Sequence, residues 1–217
     1  MKLSTSAKPS QEKKFIERRL TSERKVLVLG QEFIALKNVY DTSTDTELMA
    51  DVVDINKNQT FLEIGSGTGA VSLLVGKHAK SGIGIDINPD AVKNANLNKK
   101  LLGTKNVEFR QSDVFENISG NFDVVICNPP YSPYRPADKV EMMFWDDKNT
   151  MKVRFFDQVK DYLKPAGHVY FGYADFEDID QDLPKKLAKK AGLKFVKKYS
   201  RKYIDGDRMF FVYAFKA

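Results

Sequence analysis

The stretch FLEIGSGTG, residues 61–69, decides the fold of this chain. Its first four positions are typical of a buried strand, and glycines then recur at alternate positions up to the start of an apolar, helix-sized segment. Glycine adopts backbone angles that other residues avoid, so the pattern predicts a sharp turn between a strand and a helix that a ligand can approach closely. The candidate ligand-binding residues of this turn are Glu63, Gly65, Ser66, Gly67 and Gly69.

Strand-sized and helix-sized segments alternate along the rest of the chain, which predicts an α/β fold with a parallel sheet and helices on both faces. The predicted strands are 61–64, 82–86, 107–109, 123–127, 168–172, 195–199 and 209–215. The predicted helices are 45–55, 71–78, 89–102, 150–163 and 183–191, with Pro165 and Gly167 stopping the fourth. We expect a short helix over residues 11–20 and short strands or a hairpin over residues 26–40.

Acidic residues follow the next two strands of the predicted sheet. Asp86 ends the strand after the glycine turn, 17 residues beyond Gly69, where a carboxylate can bind the two hydroxyls of a ribose. The glycine spacing differs from that of a dinucleotide-binding turn, which favours a cofactor that has a ribose but no phosphate. Asp113 follows the third strand and is placed to accept a hydrogen bond from an exocyclic amine such as that of adenine.

The tetrapeptide NPPY, residues 128–131, directly follows the apolar strand at 123–127. It therefore lies at the carboxyl edge of the sheet, where open parallel sheets bind ligands. Two prolines stiffen the chain and remove two backbone donors, so the Asn128 side chain and the Pro129 carbonyl can present fixed oxygens to a planar group bearing an NH2. Tyr131 is expected to stack on that group, although Asn-Pro is also a common strand-ending turn.

These motifs together resemble those of the class I S-adenosylmethionine-dependent methyltransferases. Residues 61–69 resemble that family's first motif, Asp86 its ribose-binding acid, Asp113 its adenine-binding acid, and residues 128–131 the NPPY motif of members that methylate amino groups. The resemblance implies a Rossmann-like methyltransferase fold, with a seven-stranded, mostly parallel sheet containing one antiparallel strand. It implies S-adenosylmethionine as cofactor, no metal, and the catalytic residues Asn128, Pro129 and Tyr131. The implied cofactor-binding residues are Thr46, Glu63, Gly65, Ser66, Gly67, Gly69, Asp86, Ile87, Asp113, Val114 and Asn128.

A second resemblance concerns VYDTSTDTEL, residues 39–48, which is similar to the segment before the fold in the HemK-like protein-glutamine N5-methyltransferases. In those relatives the segment around Asp45 and Thr46 lies over the methionine part of the cofactor; their usual proline is replaced here, in the region of Thr42 and Thr44. This resemblance implies a protein glutamine of the translation apparatus as acceptor. NPPY also occurs in adenine-N6 methyltransferases of RNA and DNA, so adenine is an alternative acceptor, and a small molecule is another. A catalytically silent cofactor-binding subunit is the alternative from a different class.

Composition indicates a globular chain of 217 residues, 42% of them hydrophobic. We expect a basic extension and short linker hairpin over residues 1–40 and a methyltransferase domain over residues 41–217. No apolar run approaches the ~20 residues that a membrane span needs, and residues 1–8 lack the apolar segment of a secretory signal. The single cysteine, Cys127, fits a reducing compartment, so the expected location is the cytoplasm. One cysteine and two histidines give no metal-ligand cluster.

The net charge of +6 is concentrated in two basic segments, and such clusters attract nucleic acid or its protein complexes, including the ribosome. The alternative is a solvated lysine face. The basic residues are Lys13, Lys14, Arg18, Arg19, Arg24 and Lys25, and then Lys185, Lys186, Lys189, Lys190, Lys194, Lys197, Lys198, Arg201 and Lys202. Residues 132–147 are predicted to form a substrate-facing loop or lid; alternatively, Phe144 and Trp145 within it only pack against the core.

Overall fold

The computed structural model describes residues 22–176, 178–203 and 207–217, so the helix predicted over residues 11–20 lies outside the described residues. The strands are β1 Glu23–Val28, β2 Gln31–Leu36, β3 Thr60–Ile64, β4 Ser81–Asp86, β5 Val107–Gln111, β6 Phe122–Cys127, β7 Leu163–Ala174, β8 Lys194–Lys202 and β9 Met209–Lys216. The helices are α1 Thr44–Val52, α2 Ala70–Gly76, α3 Pro89–Leu101, α4 Thr150–Gln158 and α5 Leu183–Lys190. Within these ranges, none of the helices combines the length and the apolar character needed to cross a membrane.

Seven strands form one sheet in the order β5-β4-β3-β6-β7-β9-β8. Neighbours from β5 to β7 are parallel, and β9 is antiparallel to both β7 and β8. The predicted mostly parallel, seven-stranded sheet with one antiparallel strand is therefore confirmed. The strand order reverses between β3 and β6, and in open α/β sheets ligands bind at the carboxyl ends of the strands beside such a reversal.

The helices pack in two groups, which is what a sheet covered on both faces requires. Helix α1 contacts α2 and α2 contacts α3, whereas α4 contacts α5. Helix α3 begins as its sequence predicts, with Pro89 in the first turn and the Asn88 side chain accepting from the Asp90 backbone N–H at 3.0 Å. Strands β3 and β6 are almost fully buried because they lie at the centre of the sheet.

Strands β1 and β2 form the expected hairpin, which docks on α3 through two buried asparagines. Asn94 Oδ1 accepts from the Leu36 backbone N–H at 2.7 Å, and Asn98 Oδ1 accepts from that of Ile34 at 2.9 Å. Asn98 Nδ2 also donates to the Thr68 carbonyl at 2.9 Å. The hairpin is thus tied both to α3 and to the glycine turn, while the division of the chain at residue 40 stays a prediction.

The largest boundary errors lie between the fourth helix and the strand that follows it. The helix predicted over 150–163 ends at Gln158 and tightens into a 3-10 turn over 159–162, and β7 starts at Leu163 rather than at residue 168. The pairing of β6 with β7 shifts register here, because Phe122 pairs with Leu163 whereas Val124 pairs with His168. Pro165 fits at this irregular start of β7, because the hydrogen bonds between the strands are interrupted there and no backbone N–H donor is needed.

Candidate active site

A cavity of about 1440 Å³ lies at the carboxyl ends of β3, β4, β5 and β6. It gathers all but one of the residues that the sequence singled out. The predicted site residues among those that line it are Thr46, Glu63, Gly65, Ser66, Gly67, Asp86, Ile87, Asp113, Val114, Asn128, Pro129 and Tyr131. Gly69 is the exception: a Cβ built there would lie 2.9 Å from atoms of Ala95 and Phe109, so this glycine serves close helix packing instead of facing the cavity.

The glycine turn after β3 forms one wall of the cavity. Gly65 and Gly67 have φ angles of 79° and 52°, a conformation that favours glycine. A Cβ on Gly67 would meet only the Tyr40 carbonyl, at 3.8 Å, so the turn offers open space to a ligand. The Asp86 side chain fixes this turn, because its Oδ2 accepts from the Gly67 backbone N–H at 2.9 Å.

Asp86 lies at the end of β4, and backbone N–H groups hold its carboxylate in place. Its Oδ1 accepts from the Asn88 backbone N–H at 2.9 Å, which together with the Gly67 contact fixes both oxygens. Burial raises the pKa of Asp86 above its ordinary value. Each carboxylate oxygen keeps a further lone pair, so the group can still accept from the hydroxyls of a ribose.

Glu63, in β3, is a buried carboxyl group at the floor of the cavity, 2% exposed. Its Oε2 accepts from both the backbone N–H and the hydroxyl of Ser72, in α2. Burial outweighs these bonds and raises the pKa of Glu63 to about 8. A positive charge beside this carboxyl group would stabilise its ionised form and lower its pKa again.

Asp113, after β5, is engaged by a cation that the sequence did not indicate. Both of its carboxylate oxygens accept from Arg154 Nη1, at 3.1 and 3.0 Å, and Arg154 Nη2 lies 3.4 Å from Glu116. Arg154 comes from α4 and also lines the cavity. The carboxylate retains free lone pairs beside this ion pair, and its role as acceptor for adenine stays a prediction.

The Asn128 side chain is held from two sides by buried polar groups. Its Nδ2 donates to Asp45 Oδ2 at 3.0 Å, and its Oδ1 accepts from the Tyr131 hydroxyl at 2.7 Å. The Tyr131 hydroxyl also lies 2.9 Å from Asp45 Oδ2, so the three side chains form a closed triangle. A carboxylate only accepts, so the NH2 of Asn128 must face Asp45 and its oxygen keeps one lone pair for an incoming N–H group.

Tyr131 packs differently from its predicted role. Its side chain is 6% exposed, and the ring meets Tyr173 and Phe176 edge-on, with centroids 6.1 and 5.9 Å away, and Phe210 at a tilt. The ring is therefore part of the core, and its hydroxyl is the group that reaches Asn128. Burial raises the pKa of Tyr131 well above its ordinary value, so the hydroxyl stays a donor.

Hydrogen bonds join the start of the segment after NPPY to its end, and join its end to α4. The Asp146 backbone N–H donates to the Ser132 carbonyl at 2.9 Å, and Lys152 Nζ, fully buried in α4, donates to Asp146 Oδ2 at 3.0 Å. Phe144 is buried edge-on against Tyr40, and both Phe144 and Trp145 line the cavity. The substrate-facing role of this loop stays a prediction.

Sequence reasoning missed three residues that contact the predicted site. Asp45, Arg154 and Gly172 touch Asn128 or Asp113 from distant parts of the chain. Asp45 had a weak signal, because it lies beside Thr46 in the linker segment and in the first turn of a helix, where acids are favoured. Arg154 and Gly172 had none, since neither belongs to a motif.

Comparisons with known proteins agree with this geometry. A family model described as a methyltransferase domain matches residues 55–204. The chain is 40% identical over 154 residues to a protein from Methanocaldococcus jannaschii named as a protein N5-glutamine methyltransferase, covering 66% of this chain and 77% of that protein. It is 36% identical over 129 residues to the release factor glutamine methyltransferase of Aliivibrio fischeri, covering 54% of this chain and 45% of that protein. The chain spans about half the length of the release factor glutamine methyltransferases that it matches.

The fold is shared with solved structures at low sequence identity. The crystal structure of M. jannaschii TYW2 in complex with AdoMet superposes with a TM-score of 0.61 at 20% identity, covering 90% of this chain and 85% of that one. The open glycine turn and the fixed carboxylate of Asp86 fit S-adenosylmethionine, which has a ribose. The chain therefore belongs to the class I S-adenosylmethionine-dependent methyltransferases, within the protein N5-glutamine methyltransferase family.

Proposed function

We propose that this enzyme transfers the methyl group of S-adenosylmethionine to the side-chain amide nitrogen of a glutamine in a protein of the translation apparatus. The names of the similar proteins, which include release factor glutamine methyltransferases, support this acceptor. The linker that carries Asp45 supports it as well, because residues 39–48 resemble the same family.

The observation that carries the proposal is the fixed amide of Asn128 at the wall of the cavity. Its oxygen has a free lone pair, and Pro129 follows it along the same wall. A primary amide presents two N–H groups in one plane, so the Asn128 oxygen and the Pro129 carbonyl can accept one each. These bonds strengthen as the nitrogen gains positive charge, and they therefore favour the transition state over the ground state.

The bound cofactor supplies an electrophilic methyl group on a sulfonium. The glutamine nitrogen forms a bond to the methyl carbon while the bond from that carbon to sulfur breaks, and the nitrogen then loses one proton to water. No strong base is needed, because the methylated amide nitrogen is acidic until that proton leaves. Holding the nitrogen in line with the methyl group contributes up to about 7–11 kcal/mol in well-oriented systems.

The packing of Tyr131 favours an amide acceptor over adenine. Enzymes that act on a flipped base commonly stack it on an aromatic ring. The Tyr131 ring is enclosed by Tyr173, Phe176 and Phe210, and only its hydroxyl reaches the acceptor corner. A flat base would have to stack on another ring of the cavity, such as that of Trp145, whereas an amide needs only the hydrogen-bonding oxygens.

We also place the reaction in the cytoplasm and infer a nucleic-acid or ribosome contact through α5 and β8. The sole cysteine, Cys127, is a free, buried thiol, which suits a reducing compartment.

Lysines cover the exposed edge strand β8, although lysines and the bulge at Val196 also protect such an edge from unwanted pairing. Charge reversal of Lys194 and Lys197 distinguishes these roles, because loss of salt-sensitive RNA binding supports the contact and unchanged binding contradicts it.

Labelled cofactor incubated with cell extract tests the acceptor class. Label that survives ribonuclease and is lost after protease supports a protein acceptor, and mass spectrometry of the labelled peptide should place the methyl group on a glutamine. Label that is lost after ribonuclease contradicts the proposal and selects the adenine alternative.

Asn128→Ala tests the proposed catalytic role. We expect turnover to fall by about 100- to 1000-fold, as when a transition-state hydrogen bond is removed, while the affinity for S-adenosylmethionine by calorimetry is retained. Asn121→Ala is the matched control, since Asn121 is exposed at the opposite end of β6 and bonds only backbone carbonyls there. Turnover of Asn128→Ala at the level of the control contradicts the role.

A further inference from the structure

Gly172, in β7, lies directly beside the Asn128 side chain. Cys127, the last residue of β6, pairs with Phe171, so Asn128 and Gly172 follow in register one residue further on. A Cβ built on Gly172 would lie 2.1 Å from Asn128 Oδ1 and 3.1 Å from Asn128 Cγ. The first distance is far inside van der Waals contact and the second is also too short, so the observed position of the amide requires that residue 172 has no side chain.

Space, and not backbone conformation, is what demands glycine at this position. Gly172 lies within a regular strand, opposite Val212 of β9, and does not have the positive φ found at Gly65 and Gly67. The three atoms that a Cβ at this position would approach most closely all belong to Asn128. The backbone conformation therefore permits alanine there, and the closest conflicts are with Asn128.

We propose that Gly172 is a positioning residue for methyl transfer, because its missing side chain lets Asn128 Oδ1 lie against β7, the position from which this oxygen would accept from the acceptor nitrogen. This inference rests on the proposed role of Asn128. An added methyl group pushes the amide away from β7. The amide then loses its bond to the Tyr131 hydroxyl or to Asp45, because both partners are themselves buried and fixed.

Gly172→Ala tests the proposal by separating turnover from cofactor binding. We expect kcat to fall by about 100-fold, comparable with removal of an oriented hydrogen bond, and the Kd for S-adenosylmethionine to change by less than about threefold. Gly82→Ala is the matched control: a Cβ there would lie 2.0 Å from the Phe61 ring, which is an equal overlap remote from Asn128. The control should lower the melting temperature and leave kcat of the folded enzyme unchanged.

A double-mutant cycle shows whether Gly172 acts through Asn128. Asn128→Ala removes the side-chain atoms that the new methyl group would meet, so Gly172→Ala should lower the single-turnover rate of the Asn128→Ala enzyme by less than about threefold. The double variant should also recover part of any decrease in melting temperature that Gly172→Ala causes alone. An equal fall in rate in both backgrounds overturns the proposal.

The side-chain amide signal of Asn128 in a 15N NMR spectrum gives a readout that needs no acceptor. The signal, assigned by its loss in Asn128→Ala, should shift in Gly172→Ala and stay in place in Gly82→Ala. An unmoved signal together with a wild-type kcat overturns the positioning role. A shifted signal in an enzyme that methylates no glutamine supports the positioning role, and the proposed acceptor is then what fails.

Discussion

Asp45→Asn is the sharpest perturbation of the triangle formed by Asp45, Asn128 and Tyr131, because it keeps the shape of the side chain and changes only its hydrogen bonding. Asp45 Oδ2 accepts from Asn128 Nδ2 and contacts the Tyr131 hydroxyl, at 3.0 and 2.9 Å, and its Oδ1 accepts from the Thr46 backbone N–H at 2.9 Å. An asparagine must turn its NH2 towards one of these sides. In either orientation a donor faces a donor, so at least one charge-assisted bond is lost.

The magnitude follows from that single loss. A hydrogen bond to a charged group contributes about 1.5–3 kcal/mol, which corresponds to a fall in kcat of about 10- to 150-fold if the bond orients Asn128 in the transition state. Single-turnover methyl transfer to a glutamine peptide measures it, with calorimetry of S-adenosylmethionine binding alongside. Asp51→Asn is the matched control, because Asp51 lies on the same helix in an exposed pair with Arg201. If Asp45→Asn reacts as fast as Asp51→Asn, the triangle does not orient Asn128.

Two further predictions concern the cofactor half of the cavity. Asp86→Ala should weaken S-adenosylmethionine binding by about tenfold or more, because hydrogen bonds to a charged group and the anchor of the Gly67 turn are lost together, and an unchanged calorimetric Kd refutes that assignment. In the folded protein the pKa of Glu63 is about 8, whereas in an unfolded chain the pKa of a glutamate is near 4.3. Glu63 therefore contributes fully to the free energy of unfolding below about pH 4.3, and this contribution is lost as the pH rises to about 8. Glu63→Gln should flatten that decline in denaturant titrations at several pH values, and an identical decline in both proteins excludes Glu63 as its source.

The features that the sequence predicted well are those written in local pattern. The glycine turn, Asp86 at the end of β4 and Asn128 after β6 each depend on a few consecutive residues, and parallel strands then carry them to one edge of the sheet. The end of α4 was predicted worse. Its apolar pattern continues through the 3-10 turn to Leu163, and nothing local indicates that β7 begins there across an irregular pairing.

The contacts around Asn128 and Asp113 could not be predicted from the sequence, because they join residues that are far apart in the chain. Asp45 and Asn128 are 83 residues apart, and Arg154 and Asp113 are 41 apart. Such pairs depend on which elements become neighbours after folding, and a single sequence does not record that. The burial of the Tyr131 ring is of the same kind, because the aromatic side chains around it come from β7, β9 and the segment after β7.

Hydrogen bonds at both ends of the linker connect it to the cofactor half and to the acceptor half of the cavity. Asp86 accepts from the Asn88 backbone, and Asn88 Nδ2 in turn donates to the Asn38 carbonyl at 2.9 Å, at the start of the linker. That linker leads within a few residues to Asp45, which holds Asn128. Under the roles proposed above for Asp86 and Asn128, a cofactor bound at Asp86 would stabilise the end of β4 to which the linker is attached, and the linker carries the carboxylate that holds Asn128. The linker is then the physical connection between the proposed donor site and the proposed acceptor site.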